Sequence, residues 1–193
     1  MTDENALLFP AGIQISGLTG AVSSATGHYD KRLSELREIF ADKVAFDDVL
    51  KTQNDPLVYR VIEYRPPNSD IFFGTTTMFP GHVGGEFYMT RGHFHARRDM
   101  GEIYYTQSGN GLLLLESREG DSRTVEMKPG VCAFIPPDWA HRSINVGDEP
   151  LVFVWACNPE AGHDYAEILK RGMRKRIMKD GDAVRIIDNA AYA

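Results

Sequence analysis

Thiols are scarce in this sequence. Only Cys132 and Cys157 occur in 193 residues, too few and too irregularly spaced for a disulfide framework. Both lie among apolar neighbours and read as buried, reduced thiols. Long apolar runs are absent as well. No stretch approaches the 18 or so consecutive apolar residues of a membrane-spanning helix. Basic residues are outnumbered, 21 against 27 acidic ones, for a net charge of −6. That balance argues against nucleic acid or an anionic membrane as partner, since both select a basic face. It leaves room for a phosphorylated small molecule, which needs only a few oriented donors. The first ten residues, MTDENALLFP, are acidic and lack the cationic start of a secretory leader, so a cytoplasmic protein is expected. The basic run 170–176 reads as a solvated face.

What the chain has in quantity is turn formers, 18 glycines and 10 prolines. Strand-forming stretches alternate with them at 57–65, 71–79, 86–95, 102–107, 111–117, 124–127, 131–135, 142–145 and 151–156. The dividers include Pro80-Gly81, Gly109-Asn110-Gly111, Pro129-Gly130 and Pro136-Pro137-Asp138. Strands at this spacing without helices between them predict a mainly β fold, an antiparallel sandwich or barrel. Residues 1–29 read as an irregular arm. A helix is expected at 30–40, capped by Asp30, with Leu33, Leu36, Ile39 and Phe40 on one stripe. A second helix is expected at 164–171, and a final hairpin pairs 176–178 with 183–187. No repeat or linker interrupts the chain. It reads as one domain over 1–193, with the arm and helix at 1–50, a barrel core at 57–159 and a closing helix and strands at 160–193.

Three of the six histidines stand in a pattern with one carboxylate. His93 and His95 are two apart in a predicted strand, so their imidazoles share a face. Glu102 opens the next strand, and His141 follows a Pro-Pro turn. Three imidazoles and a carboxylate suit a divalent first-row metal (Fe, Mn, Ni, Co or Zn) and are too nitrogen-rich for Ca or Mg. Four protein ligands in an octahedral field leave two positions open for neighbouring oxygens of a substrate. His28 and His82 have no such partners and read as non-functional, and Trp139 reads as a packing residue.

Written out, His93-x-His95, six residues, Glu102, six residues, Gly109, then Gly130, five residues, Pro136-Pro137, His141 and Asn145 resembles the two motif blocks of the cupin superfamily. Longer blocks narrow the resemblance: Thr90 to His95, Gly101 to Tyr105, Pro136 to Arg142, Gly147 to Pro150, and Ala161 to Tyr165 are similar to the cupin-type phosphoglucose isomerases of archaea and some bacteria. The likeness covers about 30–190. It implies a single cupin jelly-roll barrel with a few short flanking helices, in a cytoplasmic homodimer. It also implies a metal, most often Fe²⁺, and the interconversion of glucose 6-phosphate and fructose 6-phosphate in glycolysis and gluconeogenesis. Carried over, His93, His95, Glu102 and His141 are metal ligands. Thr76, Thr90 and Gly92 meet the phosphate. Tyr104, His163 and Tyr165 line the sugar, with Glu102, Tyr104 and His163 as the catalytic set. Hydroxyls of Thr76 and Thr90 and the unobstructed amide at Gly92 are chemically suited to an anion. Arg91, one residue along a strand, is expected on the other face.

Three departures stand out. The His95–Glu102 gap is longer than usual and inserts a turn at 96–101. Asp138 stands where many cupins have Gly, and Cys157 where the family often has Tyr. The hydrogen transfer stays open between a base-mediated enediol route through Glu102 and a hydride shift. Three other functions remain open beside this one: a cupin isomerase of another sugar phosphate such as mannose 6-phosphate, a dioxygenase on the same ligands, and a non-enzymatic sugar-binding cupin.

Overall fold

The computed structural model describes residues 9–192. Residues 1–8, where no leader is expected, lie outside the described residues, as does residue 193. Thirteen strands are the main elements of the described chain: β1 (Gly27–Arg32), β2 (Leu57–Tyr64), β3 (Phe72–Met78), β4 (His82–Val83), β5 (Glu86–Phe87), β6 (Glu102–Ser108), β7 (Gly111–Ser117), β8 (Ser122–Met127), β9 (Cys132–Ile135), β10 (Trp139–Asn145), β11 (Leu151–Cys157), β12 (Lys175–Asp180) and β13 (Ala183–Asp188). Two α-helices accompany them, α1 (Lys43–Thr52) and α2 (Ala166–Arg171), with a 3₁₀ segment at Leu33–Ile39. All pairings are antiparallel.

The strands form a six-stranded sheet ordered β1-β2-β3-β11-β6-β9, a three-stranded sheet ordered β10-β7-β8, and a four-stranded sheet ordered β13-β12-β5-β4. Residues 88–93 run beside β10 through bridges at Met89–Ile144 and His93–His141. With that segment included, β3-β11-β6-β9 faces 88–93-β10-β7-β8, the two-sheet order of a jelly roll. The hydrogen bonding does not run round as a closed barrel among the described residues. Alternation sets what faces the interior. In β6, Glu102, Tyr104 and Thr106 point inward while Ile103 and Tyr105 point out. Strand β7 is buried on both faces, at Leu113, Leu114 and Leu115 alike. At its far end β7 meets the segment that leads into β12, where Glu116 accepts from the Arg174 amide at 2.6 Å.

Four expectations need correction. The helix at 30–40 is strand β1 followed by the 3₁₀ turns. Asp30 is not a cap: it lies in β1 opposite Arg60 of β2, whose Nε and Nη2 donate to its carboxylate at 2.7 and 2.8 Å. The apolar stripe survives because Leu33, Leu36 and Ile39 are three apart, the period at which 3₁₀ side chains align. Within the arm at 1–29, Ile15 and Val22 form a bridge and Gly27 already belongs to β1. The strand at 86–95 is only β5 plus isolated bridges, since Gly92 has φ +77°, which breaks the ladder. Cys132 is exposed, because the alternation of β9 turns Ala133 and Ile135 inward and Cys132 and Phe134 outward. Helix α1 had no reading in the sequence; Asp42 caps it by accepting from the Ala45 amide at 2.9 Å.

Candidate metal centre

Three elements bring the ligand candidates together. The bridged segment carries His93 and His95, the start of β6 carries Glu102, and β10 carries His141. The His93–His141 bridge is closed by hydrogen bonds from each amide to the other's carbonyl, at 3.3 and 3.0 Å, which sets the two rings 4.4 Å apart. One donor atom from each of His93, His95, Glu102 and His141 lies within 4.8 Å of the others. His95, Glu102 and His141 are buried.

The hydrogen bonds indicate what this cluster accepts. His95 Nδ1 lies 2.9 Å from the Met100 carbonyl. A carbonyl only accepts, so Nδ1 carries the hydrogen and a neutral His95 turns the Nε2 lone pair inward. That Nε2 is 3.3 Å from Glu102 Oε2. His141 Nε2 is 3.1 Å from the same oxygen, yet off the direction of a hydrogen bond, and this buried nitrogen has no partner. Lone pairs converging on one point call for a cation there. The donor set fits a divalent transition metal, with the Met100 carbonyl orienting one ligand from behind. Burial pushes the Glu102 carboxyl up, but the adjacent His141 and His95 imidazoles outweigh it and hold the group below its ordinary range. His93 is held well below the usual histidine range by burial and by the neighbouring imidazoles.

A cavity of about 160 Å³ opens over the cluster. Every residue anticipated for the substrate lines it: Thr76, Thr90, Gly92, Tyr104, His163 and Tyr165. Thr76 is an inward residue of β3. Thr90 Oγ1 accepts from the Ser143 amide at 3.0 Å. Gly92 is required twice over, by its positive φ and because a Cβ there would sit 3.0 Å from Arg142 Nε. Tyr104 shares the inward face of β6 with Glu102, its ring centre 5.8 Å from that of His141; burial raises its phenol well above the usual value. His163 stacks on Tyr165 at 5.6 Å and stands 4.3 Å from His93. Cys157 faces Glu102 across β11 and β6 and also lines the cavity; burial pushes its thiol up. His28 and His82 do not line it, and Trp139 packs against the core.

Sequence reasoning missed Tyr29, Tyr59, Glu63 and Arg65, which line the cavity from β1, β2 and the end of β2. Alternation along β2 was the available signal, but nothing local aimed it at the histidines. Arg91 is a correction. It lines the cavity, lies 5.6 Å from the Tyr165 ring and donates to the Glu35 carbonyl at 2.8 Å. Strand alternation fails there because the ladder is broken on either side.

A family model described as glucose-6-phosphate isomerase matches residues 30–192. Among curated relatives, the glucose-6-phosphate isomerase of Sinorhizobium medicae is 45% identical over 190 residues, covering 96% of this chain and 89% of that protein. The enzyme of the same name from Thermococcus onnurineus is 41% identical over 185 residues, covering 95% and 96%. Among solved structures, an oxalate decarboxylase from Bacillus subtilis matches with a TM-score of 0.45 and 25% identity, over 54% of this chain and 26% of that one.

Proposed function

The chain belongs to the glucose-6-phosphate isomerase family, and on that premise we propose that it interconverts glucose 6-phosphate and fructose 6-phosphate at a divalent transition metal held by His93, His95, Glu102 and His141. The observation that carries the metal is the inward convergence of imidazole nitrogens on Glu102, one of them buried without a partner. Bound there, such an ion supplies Lewis-acid stabilisation of negative charge developing on the sugar oxygens. Iron is our first choice of metal.

The chain's own residues supply the rest. The Thr76 and Thr90 hydroxyls and the Gly92 amide hold the phosphate, where the missing Cβ lets the backbone approach. His163, stacked on Tyr165, and Tyr104 hold the open-chain sugar hydroxyls. The wall of tyrosines and Trp155 excludes water. Glu102 carries the proton between C1 and C2, and Tyr104, two residues on, keeps its carboxylate in place. A coupled assay of fructose 6-phosphate conversion tests this. Activity should vanish on chelation and return with added metal; no turnover with metal restored overturns it.

The functional unit is a cytoplasmic homodimer of single-domain subunits. Supporting this, the edge strand β9 and its neighbour β6 expose Phe134, Ile103 and Tyr105 side by side, an apolar edge that a second copy would cover. A monomer mass by light scattering would overturn the dimer. Among the described residues, no helix is long and apolar enough to cross a membrane.

A further inference from the structure

Three segments flank the metal cluster: 93–95 and 163–165, which line the cavity, and the Pro-Pro turn that leads into His141. All three meet one side chain that does not line the cavity, Arg118, just past the end of β7. Its guanidinium carbon lies 3.9 Å from the ring centre of Phe94, the fully buried residue between the two strand histidines. Its Nε donates to Asp138 Oδ1 at 3.0 Å. Its Nη2 is 3.9 Å from the carboxylate of Asp164, which sits between His163 and Tyr165 and exchanges both backbone hydrogen bonds with Phe94, at 2.8 and 3.0 Å. Its Nη1 donates to Glu167.

Asp138 has a second cationic partner. Arg98 Nε donates to its Oδ1 at 2.8 Å and Nη2 to its Oδ2. Arg98 belongs to the turn at 96–101, the one whose Met100 carbonyl orients His95. Asp138 itself has φ +65°, a conformation that Asp and Asn tolerate better than other non-glycine residues. The two departures from the cupin pattern, the long gap after His95 and the Asp in place of Gly, are therefore partners: one brings Arg98, the other brings its carboxylate.

We propose that Arg118, paired with an Asp138 that Arg98 also holds, is a positioning residue that fixes the His93–His95, His141 and His163–Tyr165 segments relative to one another, and so sets metal affinity. The planar fork matters as well as the charge, since it stacks on Phe94 while pairing with carboxylates along its edge. This rests on the metal reading, and the test separates the two.

The test titrates the metal-stripped full-length protein with Co²⁺, read by calorimetry and visible absorbance. Thermal unfolding of the stripped protein is recorded in parallel. Wild type should bind one Co²⁺ per chain. Arg118→Met keeps the packing over Phe94 but loses the fork, and should weaken Co²⁺ by about 10–100-fold, the usual effect of losing a group that orients a ligand. Arg118→Lys should recover part of that loss. Asp138→Asn tolerates the same backbone and should shift affinity in the same direction by less. Arg97→Met, in the same turn but paired elsewhere with Asp99 and Glu160, should leave affinity unchanged. Should Arg118→Met fail to fold, Asp138→Asn decides. A variant that melts earlier yet binds Co²⁺ within twofold of wild type overturns the positioning role and leaves the metal reading intact. Absence of Co²⁺ binding by wild type overturns both.

Discussion

Buried Glu102 differs from two other buried glutamates, Glu86 and Glu116, in what faces it. Glu86 is met by Arg176 Nη1 at 2.6 Å and by the Ala41 amide at 3.0 Å. Glu116 accepts from the Arg174 amide at 2.6 Å and the Tyr192 hydroxyl at 2.7 Å, with the Arg174 guanidinium 3.6 Å away. Each has its cation and its donors built in, and each ties the C-terminal strands and turn onto the sandwich. Glu102 has no lysine or arginine within ion-pair distance among the described residues; it faces imidazoles. A buried carboxylate needs a cation. At Glu86 and Glu116 the fold provides one, whereas at Glu102 it provides imidazole nitrogens.

That contrast can be broken by exchanging loss of metal for loss of stability. The largest effect is expected from His141→Ala, which should lose the metal and slow turnover about a thousandfold, because several kcal/mol of charge stabilisation disappear with the ion. Elemental analysis beside the coupled assay checks that both fall together. Glu86→Ala should do the converse. It strands Arg176 and should cost about 3–5 kcal/mol, seen as a Tm lower by roughly 10 °C, with metal content per folded chain unchanged. Thr90→Ala sharpens the picture within the cavity. It leaves the ligands alone and should raise KM for the phosphorylated sugar about tenfold with little change in kcat, as expected for one lost hydrogen bond to a charged group. An unchanged KM would remove Thr90 from the phosphate site.

Much of this architecture was legible along the chain because strands announce themselves locally. Gly111–Ser117 appears in the structure with the boundaries read from the sequence, and the outer pairings of β12 and β13 follow the turn chemistry around Gly181. The fold differs from its reading where non-local contacts won. The stripe Leu33, Leu36, Ile39 fits a helix of either period, and pairing of 27–32 with β2 decided against an α-helix. Cys132 looked buried by its neighbours, but its parity in β9 put it outside. The ligand candidates were legible because two-residue spacing fixes a shared face whatever the rest of the protein does. Arg91 was misread by the same rule, since alternation holds only where the ladder is intact, and Gly92 interrupts it.

The sequence by itself determined the mainly β character, the four candidate ligands and the family, all of which rest on residue type and short spacing. Only the tertiary structure decided that Glu102 would lack a protein cation, that Tyr29, Tyr59 and Arg65 would wall the cavity, and that Arg118 would reach three separate segments at once. Those facts depend on the facing of two sheets and on side chains far apart in the chain, as Arg118 is 20 residues from Asp138, 24 from Phe94 and 46 from Asp164. Short-range periodicity carries no information about such pairings, because each residue is specified by the packing of the whole interior and not by its neighbours in the chain.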